Sequence, residues 1–565
     1  MRRLLCSLAL VVWSLTASGV CSAADTEPKT LAVVSFGGYQ KLINDVATVG
    51  RLVGSPNLGK QLEMMALMLP QGEGSQGPLA MDPKRPWGLV VLAGDPIPTA
   101  YAFLPVADLK PLIRLFEAQS GREIKKEKGV YQIPTEGRLL YAAQKGDWAY
   151  IADSEKQLDH VVADPAPLLG DLPSRYNLAA RVFFPNLPKE YRDQILAILR
   201  AGTESSLQQK PGANDEEYAL RLGMARRSAE QLTMFVSDMD DLVLGWNVDP
   251  KTKTTYLDLH LAARPGTKLA EQFSEIKLGK TQLAGLAPSD ATVSFNSVGA
   301  MSDAQAAQAK NSLADLRKSV VLELGKQGLA PNEVKLVSQL FGDVLTVLEK
   351  TVDTKKTDTA VAVTLEPGTS SMLAAAVIAD GSQLEKSLKQ FVAEAKKTSP
   401  SEALKLSHET YQNFQLHLIS LPAPHQELAT LVGDNLEVVV GIADDRAMMA
   451  AGHNAVQQLK KAIDRCKAAS ETKEVPPMRL TVSVLSVAKL LSEIGETPET
   501  KAYAGMIATF LASAGPQDHL TLTTLPASNS VHVRLEAEQG LLKALGSTFQ
   551  MLNSPPSGAG HDAKH

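Results

Sequence analysis

The sequence predicts an α+β protein made of two pseudo-repeated halves, each a largely antiparallel sheet with interspersed amphipathic helices. Three observations predict this class. Short apolar runs of strand length recur along the chain, amphipathic helical stretches fall irregularly between them, and the two halves present strand and helix signals in a similar order. Regular strand–helix alternation would instead indicate a doubly wound parallel sheet.

Taken from the start, the 565-residue chain opens with Arg2 and Arg3, an apolar run from Leu4 to Trp13, and small residues up to Ala24. That is the order of a cleavable export leader. Cys21 and Ala23 fit a cut that removes residues 1–23, and a cut after Ala24 fits nearly as well. The apolar run is shorter than the roughly 20 residues a spanning helix needs. Val20, just before Cys21, is a poor match to a lipid-attachment signal. Past residue 30 no second run of roughly 18 apolar residues occurs, so the expected mature chain is soluble, without a transmembrane segment, and periplasmic or extracellular.

Strand signals follow at Leu31–Phe36, Leu89–Leu92, Tyr101–Leu104, Leu139–Ala143, Ala149–Ala152, Leu178–Phe184, Leu242–Val248 and Thr255–Ala262. In the last, Leu257, Leu259 and Leu261 alternate with Asp258 and His260, which predicts a half-buried strand with the leucines inward. Asp249 to Lys253 form the turn of a hairpin ahead of it. Between strands, Leu109, Leu112, Ile113 and Phe116 mark one face of a helix with Asp108 as its N-cap. Pro188 opens another helix, with Tyr191, Ile195, Ile198 and Leu199 on its apolar face. Pro70–Pro86 is a long Gly- and Pro-rich loop, the sort that serves as a lid, a binding loop or a plain surface insertion. Lys210–Glu217 breaks a helical region.

The second half repeats the first in outline. Leu109, Ile113 and Phe116 match Leu384, Leu388 and Phe391 at a constant separation of 275 residues. Ser382 and Glu385 have capping-box spacing. Gly146-Asp147 matches Gly433-Asp434, Leu178–Phe184 matches Leu480–Leu485, and the run from Asp241 matches the run from Asp518. These matches predict an internal duplication: a leader over 1–23, a first half over 24–280, a second over 290–552, and a disordered tail over 553–565. Residues 280–290 read as a linker or turn.

Composition narrows the function. The formal charge is −5, or −7 once Arg2 and Arg3 leave with the leader, which argues against nucleic acid as a partner. The one dense basic cluster, Lys125, Lys126 and Lys128, is interrupted by Glu127 and reads as a solvated turn. Of three cysteines, Cys6 and Cys21 lie in the leader, so Cys466 can form no internal disulfide. Its basic neighbours could lower its pKa, but a passive helix residue is the simpler reading. Aromatic residues are 5% of the chain, too few for stacking platforms. Trp148 and Trp246 fall in apolar strand patterns and are expected in the core.

No residue is assigned as catalytic, cofactor-binding or metal-ligating, and no cofactor is implied. Gly279-Lys280-Thr281 ends like a phosphate loop but has Ser274 where the first glycine belongs. His408-Glu409 starts like a zinc-protease helix but has Gln412 at the second histidine; His417, on the polar side of a strand pattern, is expected to face solvent. Asp238, Asp240 and Asp241 lack the glycine and distant glutamate of a calcium loop and read as caps. Asn214 to Glu217 read as a helix start. His561 and His565 sit in the tail, a poor metal site.

With its leader, few cysteines and strand–helix–strand units such as Tyr101–Val162, the chain resembles a loose group of uncharacterised exported bacterial proteins carrying a domain of unknown function. That resemblance implies no activity and transfers no functional residue. The expected function is a non-catalytic binding or scaffolding module whose partner is a protein or an apolar small ligand, the latter suggested by Met64, Met65 and Met68, although such a helix is usually core. The alternative is a hydrolase whose acid–base pair meets only in space.

Overall fold

The computed structural model describes residues 28–52, 55–71, 78–94, 98–135, 138–205, 215–326, 331–398, 404–422, 426–469 and 474–553. The leader over 1–23 and the tail from 554 on lie outside these residues, as does most of the Lys210–Glu217 break.

Two-residue alternation builds the first strand, β1 (Thr30–Phe36), in which Leu31, Val33 and Ser35 are buried and their neighbours half-buried. Glycines 37 and 38 end it. A pair of helices follows, α1 (Tyr39–Leu52) and α2 (Leu58–Leu67), then the hairpin β2 (Trp87–Leu92) and β3 (Thr99–Pro105). After α3 (Lys110–Ser120) comes a four-stranded meander, β4 (Lys125–Glu127), β5 (Val130–Thr135), β6 (Arg138–Lys145) and β7 (Trp148–Ala152). Short helices α4 (Glu155–Asp159) and α5 (Leu172–Arg175) lead to β8 (Leu178–Phe183). Helices α6 (Lys189–Ser205) and α7 (Asp215–Asp238), the hairpin β9 (Met239–Asp249) and β10 (Thr254–Ala263), and α8 (Lys268–Ser274) complete this part of the chain.

The rest begins with β11 (Gly279–Lys280), β12 (Val293–Ala300), the pair α9 (Asp303–Lys326) and α10 (Pro331–Asp353), and the hairpin β13 (Lys356–Thr364) and β14 (Ser371–Val377). Next come α11 (Gly381–Thr398), β15 (Leu404–Tyr411), β16 (Phe414–Pro422), α12 (Gln426–Val432), β17 (Asn435–Ile442) and β18 (Arg446–Gly452). Then follow α13 (Ala455–Ala469), β19 (Glu474–Val475), β20 (Met478–Ser483), α14 (Val484–Ile494) and α15 (Pro498–Ala514). The hairpin β21 (His519–Ala527) and β22 (Ser530–Ala537) precedes the last helix, α16 (Gln539–Asn553). The fold is therefore α+β, built on antiparallel strand pairings.

Contacts gather these elements into two compact units. One holds the described residues up to Asp193, Met239–Ala262, and those from Glu536 onward; the other holds Gln194–Asp238 and Ala263–Leu535. In the first, the strands run β10-β9-β8-β1-β2-β3-β7-β6-β5-β4. Its sheet has apolar residues on both faces: Val33, Phe103, Trp148 and Tyr150 on one, and Ile133, Ala142 and Ala149 on the other, where Leu112 of α3 packs in the same cluster. In the second, the order is β22-β21-β20-β12-β13-β14-β18-β17-β16-β15. There α13 lays Leu459, Ala462, Ile463 and Cys466 onto Leu416, Val439 and Ala450.

Several local expectations change. In β10 the buried face carries Thr254 and Asp258, the latter 1% exposed, whereas Leu257 points outward. The two-residue period holds, but the polar side faces inward, where Tyr176 supplies a hydrogen bond to Asp258. His417 is 3% exposed rather than solvent-facing. Its strand is flanked by β15 and β17, and α11 packs on both of these, covering the face opposite α13. Ile195 and Ile198 of α6 are exposed, so that helix does not bury the expected stripe. The methionine helix is likewise not core: Met64, Met65, Leu67 and Met68 are exposed, Met68 at 83%.

Caps shift too. Asp108 accepts from Lys110 N, but the first amide of the α3 turn, Leu109 N, is held by Gln144 Oε1 at 3.0 Å. Asp380, not Ser382, caps α11, accepting from Gln383 N at 2.9 Å. The segment 280–290, expected as a linker or turn, is a run of turns packed in place, with Leu283 and Leu286 in the core of the second unit. No helix among the described residues is long and apolar enough to cross a membrane.

Candidate functional site

The residues flagged in the sequence disperse. Cys466 is buried, and burial pushes its thiol pKa up, against the expected pull of its basic neighbours. Gly279 and Lys280 form an edge pairing with β19, while Thr281 Oγ1 donates to Asp358 Oδ1 at 2.6 Å. Asp238 accepts from Leu269 N at the start of α8, and Asp241 pairs with Arg181. Lys125 to Glu127 are an exposed edge strand rather than a turn. Among the described residues no group of three or more His, Cys, Asp and Glu could hold a metal ion. His561 and His565 lie outside them.

A cavity instead opens in the first unit where β1 turns into α1. Its volume is about 480 Å³, and its wall includes Gln40, Lys41, Asn44, Asp45, Lys84 and Ser174. Small-ligand sites commonly span about 300–1,000 Å³. Three local features shape it. The Phe36 ring stacks on Trp87 at 4.0 Å, tying the end of β1 to the segment 83–87. Gln40 N donates to Pro83 O at 3.1 Å, and Gly37 N to Asn177 O at 3.0 Å. Gly38 permits the approach: a Cβ there would lie 2.6 Å from Pro83 O and 2.7 Å from Lys84 O, so any larger residue would drive the walls apart.

The third wall is the short helix α5, which contributes Pro173 and Ser174. A polar chain holds it. Ser174 Oγ donates to Asp171 O, and Arg175 pairs with Asp171 at 3.1 Å. Arg175 Nη2 donates to Tyr176 Oη at 2.9 Å. Tyr176 lies over Gly245, where a Cβ would fall 2.6 Å from its ring.

Within the cavity, Lys41 and Asp45 stand one helical turn apart on the same face of α1. Lys41 Nζ donates to Asn247 Oδ1 at 3.4 Å, and Asn247 Nδ2 donates to Tyr256 Oη at 2.8 Å. Asp45 is 8% exposed, and its Oδ2 has no full hydrogen bond. Asn177, 2% exposed, lies beside it and favours the charged carboxylate. Burial raises the Asp45 pKa, opposed by Lys41 and Asn177. Burial lowers the Lys41 pKa, opposed by Asp45. Both displacements have the same origin: ionised groups in a partly dry site lose hydration.

Sequence reasoning missed this constellation because its parts lie at residues 38–45, 83–86 and 173–177. A signal was nonetheless present. Two glycines separate a strand from a helix whose first turn holds no acid, and the long Pro-rich loop Pro70–Pro86 supplies Pro83, Lys84 and Pro86. The site can hold a small polar molecule between cationic, amide and carboxylate groups. No protein-family model, curated protein or solved structure matches the chain.

Proposed function

We propose that this chain is an exported, non-catalytic binding module that holds a small polar ligand in the cavity at the β1–α1 turn. One observation carries the reading: Gln40, Lys41, Asn44, Asp45, Lys84 and Ser174 converge on one cavity of about 480 Å³. A concave site of that size with a few convergent polar and charged groups is the usual form of a small-molecule site. An apolar ligand was expected from the methionine helix, but those methionines face outward and do not line this cavity.

The address, periplasmic or extracellular, rests on the charge, apolar length and small-residue cut of residues 1–23. An internal duplication is supported by strand order. Read from β1 and from β12, the two sheets correspond strand for strand, with β8 and β20 returning beside the first strand in each. In that correspondence Gly433-Asp434 falls one hairpin early. The counterpart of the Gly146-Asp147 turn, between β6 and β7, is Asp444-Asp445, between β17 and β18.

The test is native mass spectrometry of the chain recovered from its own host envelope. The expected result is a small molecule bound one to one and lost on Asp45→Asn; wild-type protein that is bare under conditions preserving known complexes overturns the reading. A second reading, a hydrolase, draws on the opposite pKa displacements of Lys41 and Asp45 in one cavity, the pattern of an acid–base pair. Recovery of the bound compound unchanged after prolonged incubation favours the binding module; its conversion favours the hydrolase.

A further inference from the structure

In α2 the small residues Gly59 and Ala66 are buried, whereas Met64, Met65, Leu67 and Met68 are exposed, Leu67 at 69% and Met68 at 83%. Contact with α1 explains the inner face: a Cβ on Gly59 would lie 2.3 Å from Ala47 Cβ, so the two helices meet closely there. At about 100° per residue, the four large side chains occupy the arc opposite Gly59 and Ala66. An amphipathic helix ordinarily turns its large apolar residues to its own core; this one turns them away. In the second unit α10 holds the corresponding place, second helix after the first strand, and does bury such residues: Leu345 and Val347 are each 1% exposed. The end of α2 that carries Leu67 and Met68 is closed by Gln71, whose Nε2 donates to Leu69 O at 2.7 Å and Leu67 O at 3.1 Å. Carbonyls bonded within the chain cost less to take out of water.

Charge indicates what this face meets. Helices α1 and α2 carry Lys41, Arg51 and Lys60 against Asp45 and Glu63, and Asp45 is buried. Their outward balance is positive on a chain of formal charge −5. Arg51 and Lys60 are exposed, and Lys60 shares the arc of Leu67 and Met64, so its stem lies along them while its ammonium stays in water. We infer that the α2 face inserts shallowly into the surface of a bilayer containing anionic lipid. Apolar side chains on one arc, flanked by cations, have the composition of an interfacial helix. Its 10 residues lie along the surface, since spanning takes about 20. Two other occupants fit less well. A stable protein interface buries on the order of 800 Å² per partner over roughly 20–30 residues, more than this helix offers. A bound peptide needs a groove, and this face is the outer side of a single helix. A bilayer requires neither a matched counter-surface nor a groove. The face is separate from the cavity, none of whose wall residues belongs to α2.

The experiment is cosedimentation of the chain from Ala24 onward, which lacks the apolar leader, with vesicles of phosphatidylcholine alone and of phosphatidylcholine mixed with phosphatidylglycerol. The mixed vesicles are expected to bind it more tightly, and added salt to reduce that advantage. Met64→Ser combined with Met68→Ser is expected to weaken binding at least about tenfold, the partition that two buried thioether side chains supply. Its urea midpoint should match wild type, because both positions are exposed. Ile198→Ser, at an exposed apolar residue of α6, is expected to leave binding unchanged. Lys60→Glu should weaken binding to the mixed vesicles more than to phosphatidylcholine. No pelleting with either vesicle overturns the inference, as does undiminished binding by the double variant or an equal loss in Ile198→Ser. A lowered urea midpoint of the double variant overturns it too, by placing the methionines in the fold. Equal binding to the two vesicle types overturns the choice of anionic lipid. A dimer in sedimentation equilibrium that the double variant abolishes, without vesicle binding, assigns the face to a second copy instead.

Discussion

Tyr176 Oη donates a 3.3 Å hydrogen bond to Asp258 Oδ2 in the interior of the first unit, so β10 turns a carboxylate, rather than its leucines, toward the residue that follows α5. Tyr176→Phe removes that donor from a buried carboxylate. The expected loss is about 1–3 kcal/mol, read by urea denaturation; unchanged stability would show the contact to be incidental. The tyrosine also sets an alkaline limit. Burial, then the neighbouring Asp258, pushes its pKa to about 12 from 10.0. A folded pKa above the unfolded one gives stability that is complete below pH 10 and lost as pH rises toward 12. Tyr176→Phe is therefore expected to flatten part of the stability loss over that window.

Asp45 gives the opposite kind of test. Its folded pKa is raised from 3.8 by burial, so the fold favours the protonated acid. The wild type is penalised progressively as pH rises from about 3.8 through that raised value. Asp45→Asn removes the penalty, and the variant should gain stability relative to wild type between pH 4 and pH 7 while losing ligand. Denaturant midpoints at the two pH values check this. A variant less stable at pH 7 would mean that Asp45 is held by a stronger internal partner than the structure gives it. The coupling of higher stability to lost binding is what separates a recognition carboxylate from a structural one.

His417 provides a third, in the second unit. Burial lowers its pKa from 6.5; Glu385 opposes the shift and Lys389 adds to it, both from α11. A depressed histidine pKa gives stability that is present above pH 6.5 and lost as pH falls through the folded value. His417→Gln, which keeps a polar side chain there, is expected to lose less stability between pH 7.5 and 5 than wild type. Denaturation at those two values, with the histidine followed by NMR titration, decides it; an ordinary titration midpoint near 6.5 would show that the imidazole reaches water.

The contrast between His417 and Leu257 marks what the sequence made legible. Alternation gave the strands and even their hairpins, because a two-residue period is a local property of the backbone. It could not say which face was inner. That depends on what covers the sheet, and here α11 covers a histidine while Tyr176 draws Asp258 inward. Similarly, the leucine and phenylalanine spacing located α3 and α11, but their caps come from Gln144, 35 residues away from Leu109, and from Asp380 rather than the residues best placed by motif. The candidate site was the least legible part. Lys41, Lys84 and Ser174 share no local pattern, and only the glycine pair and the proline-rich loop hinted that something would be held there.

The segment read as a linker makes the last prediction. Arg465 Nε donates to Gly285 O at 2.9 Å and its Nη2 to Leu286 O at 2.7 Å, so α13 clamps the backbone that follows β11. Gly285 lets the two chains touch: a Cβ would stand 2.3 Å from the Arg465 carbonyl carbon and oxygen, backbone atoms that cannot swing aside. Gly285→Ala must therefore displace the segment, with Leu283 and Leu286, from the core around Cys466. Overpacking of this kind costs roughly 1–3 kcal/mol, and it should also open the thiol. With Cys6→Ala and Cys21→Ala leaving Cys466 as the reporter, a disulfide reagent is expected to react slowly in the native protein, because burial both shields the sulfur and raises its pKa. Gly285→Ala should speed that reaction at denaturant concentrations well below unfolding. An unchanged labelling rate would mean that the clamp and the core around Cys466 are independent, and that residues 280–290 are a tether after all.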